Sequence, residues 1–336
     1  MLMLRSIGQD TRRRLNNPRT QRAKLYDPIK KRSNTVSQSG RIIAVDWGTS
    51  TLRTYLLDES GTINAETTSK RGILKVSDKR FEDVLADEVA QLGVVARCPI
   101  ICSGMITSRQ GWVETPYVGC PAEISDLAAQ MMVRDTERFG PIYFIPGVMQ
   151  HSPEPDIMRG EETQVVGLDQ DDGLCLLPGT HSKWVNLEDG RIRGFTTYMT
   201  GDLYGALIAE TILRALPDEH WSADDFLAGI RRGHEEHRQG VSLLTSLFRT
   251  RARSILGLER SAGSRSYLSG LLIGAEIGNA CSIYAPARPV TVIGDEPLTT
   301  HYMEGLAELG VASRVAPARS APRGIFQIAL IKGLIL

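Results

Sequence analysis

The chain has 336 residues, of which 42% are hydrophobic and 23% charged. That length is enough for two cores, and the balance is that of an ordinary globular protein, not a disordered or collagen-like chain. With 39 Lys/Arg against 39 Asp/Glu the net charge is zero, and no apolar run nears the roughly 20 residues of a membrane span. Composition therefore excludes a helical membrane protein and gives no bulk charge for nucleic-acid binding.

The neutrality is uneven. Residues 1–40 carry ten Lys/Arg and two Asp/Glu, a balance of +8 that the remainder cancels. This segment lacks periodic apolar positions and cannot bury enough surface to offset ordering its backbone. It has no apolar core of a secretory signal. Arg-rich and acid-poor, it fits an organellar transit peptide or a nucleic-acid arm; the plainer reading is a disordered basic tail, or a start codon placed upstream of the true one.

From residue 41 the pattern is regular. "RIIAVDWGTSTLR", 41–53, is an apolar strand ending on Asp46, a Gly-Thr-Ser loop, and a second strand that runs to a turn at "DESG". "KRFEDVLADEVAQLG" has helical spacing, with Phe81, Val84, Leu85 and Val89 on one side. "CPIICSG" reads as a buried strand, "EISDLAAQMM" as a helix and "PIYFIPGV" as a strand, so 41–150 forms an α/β layer. "MQHSPEPD", 149–156, is rich in Pro and polar residues and is the expected boundary, with a second unit over 157–336. There "GEETQVVGL" reads as a helix and "GLCLLPGTHSKWVNLEDGRI" as strand, loop, strand and turn. Four helical stretches follow between 201 and 281, then a strand at "PVTVIGDE", a helix at "LTTHYMEGLAELG" and a closing apolar helix at "GIFQIALIKGLIL".

The phrase strand, Gly-Thr loop, strand, turn occurs twice, near 42–62 and near 174–192. Gly48, Thr49, Ser50 and Thr51 offer N–H groups and hydroxyls to phosphate. A bare carboxylate beside phosphate repels it, so Asp46 makes sense if Mg²⁺, or water on Mg²⁺, lies between. Neither a P-loop nor a G-x-G-x-x-G fingerprint is present. "PGTHSKW", 178–184, is the second such loop. Two phosphate loops, one per domain, is the plan of the actin, hexokinase and Hsp70 superfamily.

"IAVDWGTSTLR", "SGMITSRQGW", "MRGEETQ", "PGTHSKWV", "YMTGDL" and "LSGLLIGAE" occur in this order from 43 to about 278. Together they resemble the 2-dehydro-3-deoxygalactonokinase family. The resemblance implies a two-lobed, ribonuclease H-like α/β fold of the actin/hexokinase-like ATPase type, with a cleft between lobes. It also implies ATP-dependent phosphorylation of a 2-keto-3-deoxy sugar acid at its terminal O6, in D-galactonate breakdown. The basic tail departs from the family pattern.

Roles follow from phosphoryl-transfer chemistry, which needs clamped charge and an aimed hydroxyl. Asp46 is expected to hold Mg²⁺ through water, Thr49 and Ser50 to face one end of the triphosphate, and Gly179 and Thr180 the other. Gly294 and Asp295, after "VTVI", stand where similar folds bind adenosine, or form a plain strand-end turn. By the same resemblance an acid opening the second domain takes the sugar hydroxyl proton. Glu161 is the choice, with Glu162 or Asp202 as substitutes, since neighbours on a helix point about 100° apart; two acids there also favour the helix dipole. The sugar carboxylate calls for a cation. Arg109, beside Ser108 in "GMITSRQGW", suits paired hydrogen bonds, and otherwise is a solvated arginine. His181 and Lys183 either touch phosphate or sugar acid, or form a structural ladder. Trp112 and Trp184 read as core before sugar platforms, and "GHEEH", 233–237, as a solvated helix face, not H-E-x-x-H. Cys98, Cys102, Cys120, Cys175 and Cys281 are odd in number and lack zinc spacing. They read as buried thiols in a reducing cytoplasm, with Cys98 and Cys102 on one strand face.

The expected partners are therefore ATP and a sugar acid, with neither nucleic acid nor membrane; self-association is left open. The rivals are another sugar or sugar-acid kinase of the superfamily, and a catalytically silent nucleotide or sugar sensor, which would be expected to lack Asp46 and Glu161.

Overall fold

Residues 42–94, 97–217, 220–258 and 263–335 are described by the computed structural model. The expected basic tail, 1–40, lies outside the described residues.

Two sheets carry the site. The first contains β1 (Ile42–Trp47), β2 (Leu52–Leu57), β3 (Ile63–Ser69), β4 (Ile100–Ser103), β6 (Met132–Thr136) and β7 (Gly140–Phe144), in the order β3-β2-β1-β4-β7-β6. The second contains β10 (Gly173–Leu177), β11 (Ser182–Glu188), β12 (Arg191–Tyr198), β13 (Val290–Val292) and β14 (Ser313–Val315), in the order β12-β11-β10-β13-β14. In both, the first three strands pair antiparallel, and the first strand then pairs parallel with the fourth. Each sheet thus repeats the plan of the other, which is the ribonuclease H-like arrangement. β5 (Tyr117–Gly119), β8 (Gly147–Gln150) and β9 (Asp156–Met158) make a small third sheet. The "MQHSPEPD" segment is the hairpin between β8 and β9, which pair antiparallel.

β3 and β12 extend the two hairpins beyond what the sequence pattern suggests. β3 alternates half-buried and exposed residues along "INAETTS", so it carries no apolar run to detect.

Helices cover both sheets. α1 (Phe81–Gln91) lays Phe81 and Leu85 against Val45, Trp47 and Phe144, one face of the first sheet. α5 (Ala223–Arg238), α7 (Ser264–Tyr284) and α8 (Leu298–Glu308) cover one face of the second, around Trp184 and Val292. α4 (Thr200–Glu210) and α6 (Leu243–Ile255) pack beside them. Successive strand residues point to opposite faces, so Ile42 and Ala44 of β1, and Cys175 and Leu177 of β10, face away from these layers. They meet in a common core with Val165 of α3 (Glu161–Val166), Leu127 of α2 (Ile124–Ala129) and Ile325 of α9 (Ser320–Lys332). α3 and α9 touch closely enough that a Cβ on Gly167 or Gly324 would lie 1.9 Å from backbone oxygen of the other segment. The closing apolar helix therefore returns to the first sheet and joins the two. Burial at roughly 25 cal/mol per Å² makes such a shared core the main restraint on how the sheets meet.

Trp112 packs between Phe81 and Phe144, and Trp184 is fully buried, so both are core. Cys98 and Cys102 share one core cluster, and no disulfide joins any of the five cysteines; Cys102 and Cys175 are buried as expected, while Cys98, Cys120 and Cys281 are only partly buried. The "GHEEH" stretch is only partly solvated: Glu236 is buried and pairs with Arg232 and Arg249, because α6 packs over that turn. No helix among the described residues is long and apolar enough to cross a membrane.

Candidate active site

A cleft of about 810 Å³ opens where the hairpin loops of the two sheets face each other. Asp46, Gly48, Thr49, Glu161, Gly179, Thr180, His181, Gly294 and Asp295 all line it. Residues named from four separate stretches of sequence are thus brought to one place.

Asp46 sits at the end of β1. Burial raises its carboxyl above the ordinary value, against the opposing charge of Arg53. Arg53 lies directly across the β1–β2 ladder from it, with Nη1 3.5 Å from Asp46 Oδ2. The Arg53 Nη2 donates to Asp295 Oδ2 beyond the end of β13, so one guanidinium ties the first hairpin to the Gly294–Asp295 turn. The loop between β1 and β2 is braced from behind. The carbonyls of Gly48, Thr49 and Ser50 accept from the N–H groups of Ile73, Leu74 and Gly72. Among the described residues the N–H groups of Thr49 and Ser50 take no partner, which is the arrangement an anion-binding loop needs. Ser50 itself is exposed at the tip and outside the cleft lining.

The second loop rests on α4. Asp202 N donates to Thr180 O at 3.0 Å, and a Cβ on Gly201 would lie 2.5 Å from Gly179 O. His181 faces Asp202, with Nε2 3.6 Å from Oδ2. Behind this loop a buried carboxylate, Glu276 of α7, accepts from Trp184 Nε1, Tyr302 OH and Thr200 Oγ1. The "YMTGDL" and "LSGLLIGAE" blocks are therefore the bracing of the Gly179–Thr180 loop.

Glu161 and Glu162 part company. Glycines at 104 and 160 hold positive φ, +92° and +110°, and a Cβ on Gly160 would lie 3.1 Å from the Gly104 Cα. That contact sets the first turn of α3 beside the end of β4 and beside Asp46. Glu161 then faces the cleft, 25% exposed, with Lys183 Nζ 3.4 Å from its Oε1. Glu162 turns inward and is fully buried. Its Oε2 accepts from Gly160 N at 2.7 Å, and its carboxyl is pushed up to about 8 by burial and then by the charge of Glu161.

The residues expected to bind the sugar acid scatter. Lys183 is 5% exposed, stands behind Glu161 and donates to His181 O at 2.8 Å. Ser108 Oγ donates to Met105 O, and Arg109 is 87% exposed, paired with Glu114; neither lines the cleft. Sequence reasoning missed Arg53, Arg159 and Arg319, all of which do line it. Arg53 was legible as the cross-strand neighbour of Asp46, and Arg159 as the residue before "GEE"; Arg319 had no signal.

Among the described residues no three His, Cys, Asp or Glu side chains are grouped to hold a metal ion. Asp46, partly buried beside these open Gly-Thr loops, suits a cation that takes most of its oxygens from phosphate and water, as Mg²⁺ does.

A family model described as 2-keto-3-deoxy-galactonokinase matches residues 46–328. A relative from Rhizobium meliloti (strain 1021), described as a probable 2-dehydro-3-deoxygalactonokinase, is 36% identical over 86% of this chain and 96% of its own length. The 2-dehydro-3-deoxygalactonokinase of Escherichia coli (strain K12) is 33% identical over 87% of this chain and 98% of its own. A crystal structure from Sinorhizobium meliloti, described as a candidate 2-dehydro-3-deoxygalactonokinase, superposes with a TM-score of 0.78 at 33% identity, covering 86% of this chain and 98% of the other.

Proposed function

The chain belongs to the 2-keto-3-deoxy-galactonokinase family and is a kinase with an alcohol acceptor; from that premise we propose which residues carry the reaction and what it consumes. The substrates are ATP and 2-dehydro-3-deoxy-D-galactonate, the acceptor atom is O6, and the product enters D-galactonate breakdown. The supporting observation is that Asp46 and Glu161 line one cleft together with both Gly-Thr loops.

The cleft divides two lobes, the first built on the sheet of β1 and the second on the sheet of β10. Gly48 and Thr49 bind one end of the triphosphate, with the exposed Ser50 at the rim of that loop, and Gly179 and Thr180 bind the other, with adenosine toward Gly294 and Asp295. Asp46 would hold Mg²⁺ through water, and the ion would supply positive charge against the phosphates. Glu161 accepts the O6 proton as the O6–Pγ bond forms and the bond from Pγ to the ADP oxygen breaks. Lys183 pairs with that carboxylate and fixes its direction. Glu162, buried and turned inward, supports the turn and touches no substrate. Closure of the lobes excludes the water that would otherwise compete with O6. ATP supply makes the cytoplasm the working compartment, and cysteines not joined in disulfides accord with a reducing one.

An ADP-release assay across a panel of 2-keto-3-deoxy sugar acids tests this reading, with galactonate and glycerol as controls. Turnover should be highest with the galacto acid. Equal turnover with glycerol, or no acceptor-dependent ADP release, would remove the substrate assignment.

A further inference from the structure

We propose that Arg159 receives the carboxylate of the sugar acid. This assignment rests on the kinase reading above, because it requires an acidic sugar in this cleft.

Arg159 lines the cleft next to Gly160 and Glu161. Its guanidinium is held rigidly. Nη1 donates to Thr107 O at 2.8 Å and to Thr107 Oγ1 at 2.6 Å, Nη2 donates to Thr115 O at 3.1 Å, and the group lies over the Tyr117 ring, 4.2 Å from its centroid. Thr107 and Thr115 are themselves buried, so the frame is fixed before any ligand arrives. Every one of these partners is neutral. Among the described residues the Arg159 side chain forms no ion pair, and its Nη2 makes one of the two hydrogen bonds it can donate.

The other cations on the cleft wall are already matched to acids. Arg53 serves Asp46 and Asp295, Arg319 makes two 2.7 Å bonds to Glu66, and His181 faces Asp202. Arg159 alone among these makes no ion pair among the described residues; the buried Glu162 carboxyl feels its charge without bonding to it. A preorganised guanidinium whose direct partners are all neutral, at the wall of a site for an anionic substrate, has the chemistry of a carboxylate anchor. Its backbone N–H also donates to Glu161 Oε2 at 2.9 Å, so the anchor and the proposed base are set by one turn of chain. Substrate bound at Arg159 is thereby aligned relative to Glu161.

The test crosses enzyme and substrate changes. kcat/KM is measured for the sugar acid and for its C1 primary amide, with wild type, Arg159→Gln, Arg159→Lys and Arg109→Gln. Wild type should prefer the acid to the amide by about 10–10²-fold, the share of a charge-assisted contact. Arg159→Gln should lose about that factor on the acid and little on the amide, with the ATP KM unmoved. Arg109→Gln should behave as wild type. Parallel losses on acid and amide would make Arg159 a strut between β9 and the 105–115 loop and overturn the proposal. So would a rise in the ATP KM instead, or the acid–amide coupling appearing at Arg109. Wild type inactive on the acid would overturn the kinase reading as well. Should Arg159→Gln fail to fold, as read by its melting temperature, Arg159→Lys decides. It keeps the charge without the planar fork, and its loss must still be larger on the acid than on the amide.

Discussion

Replacing Glu161 by Gln keeps the side chain's shape and removes the proton acceptor. Positioned general-base catalysis contributes about 10²–10⁴-fold, which is about 2.7–5.5 kcal/mol of barrier. The carboxylate is only 25% exposed, so water cannot freely take its place, and the upper half of that range, about 10³–10⁴, is expected in kcat. KM values should move little, because the amide oxygen still accepts a hydrogen bond from O6. A stability cost accompanies the kinetic one. Lys183 is 5% exposed and loses its carboxylate partner. An unpaired buried charge costs about 3–5 kcal/mol; here the His181 carbonyl, 2.8 Å from Nζ, and the new amide oxygen remain. About 1–2 kcal/mol is the net expectation, or a fall in melting temperature of about 2–8 °C at 2–4 °C per kcal/mol. Steady-state ADP release at saturating substrates, with calorimetry on the same samples, measures both. If Glu161→Gln keeps wild-type kcat while Glu162→Gln loses it, the base is the buried residue. If both variants stay active, α3 does not carry the base and Asp202 is next.

Asp46→Asn should abolish Mg²⁺-dependent turnover and leave the melting temperature near wild type, since Arg53 keeps Asp295 as a partner; wild-type rates at low Mg²⁺ would refute the metal role. Glu162 gives a pH signature. Its carboxyl is pushed from 4.5 up to about 8 on folding, so between those values the folded chain holds a proton that the unfolded chain has lost. Stability from this group is therefore present below the lower value and falls as pH rises through the window. Glu162→Gln, always neutral, should lose less melting temperature than wild type between about pH 5 and pH 8; equal slopes would show no such proton.

The hairpin loops were legible because an apolar run ending in Asp or Pro-Gly, repeated, has few structural explanations. β1 and β10 are largely buried and announce themselves as apolar runs, while β2 and β11, also largely buried, mix apolar residues with Arg, Thr, Lys and Asn and are legible as the returning strands of the two hairpins. β3 and β6 are exposed or half-exposed and carry Glu, Thr, Arg and Asp, so their place in the sheet comes from pairing with neighbours, which local pattern does not encode. The "MQHSPEPD" stretch is polar because it is a hairpin turn, and its acid holds β12: Asp156 accepts from Thr197 N at 2.7 Å. For the site, residue type, spacing and the family resemblance pointed to the two Gly-Thr loops and Glu161, which the fold brings to one cleft. The partners that decide charge could not. Arg109 looked apt as a cation after a glycine, yet it points to solvent and Glu114. Arg159 is defined by Thr107, Thr115 and Tyr117, more than 40 positions away in sequence, and such distant framing is visible only after folding.

The most direct test of the account is the identity of the product. Wild-type enzyme, ATP, Mg²⁺ and 2-dehydro-3-deoxy-D-galactonate are incubated to completion and followed by phosphorus NMR with coupling to the sugar protons. One phosphate monoester on O6 is expected, formed in equal amount with ADP, and formed about 10³–10⁴-fold more slowly when Glu161→Gln replaces wild type. A phosphate on another oxygen, or inorganic phosphate as the main product, would contradict it.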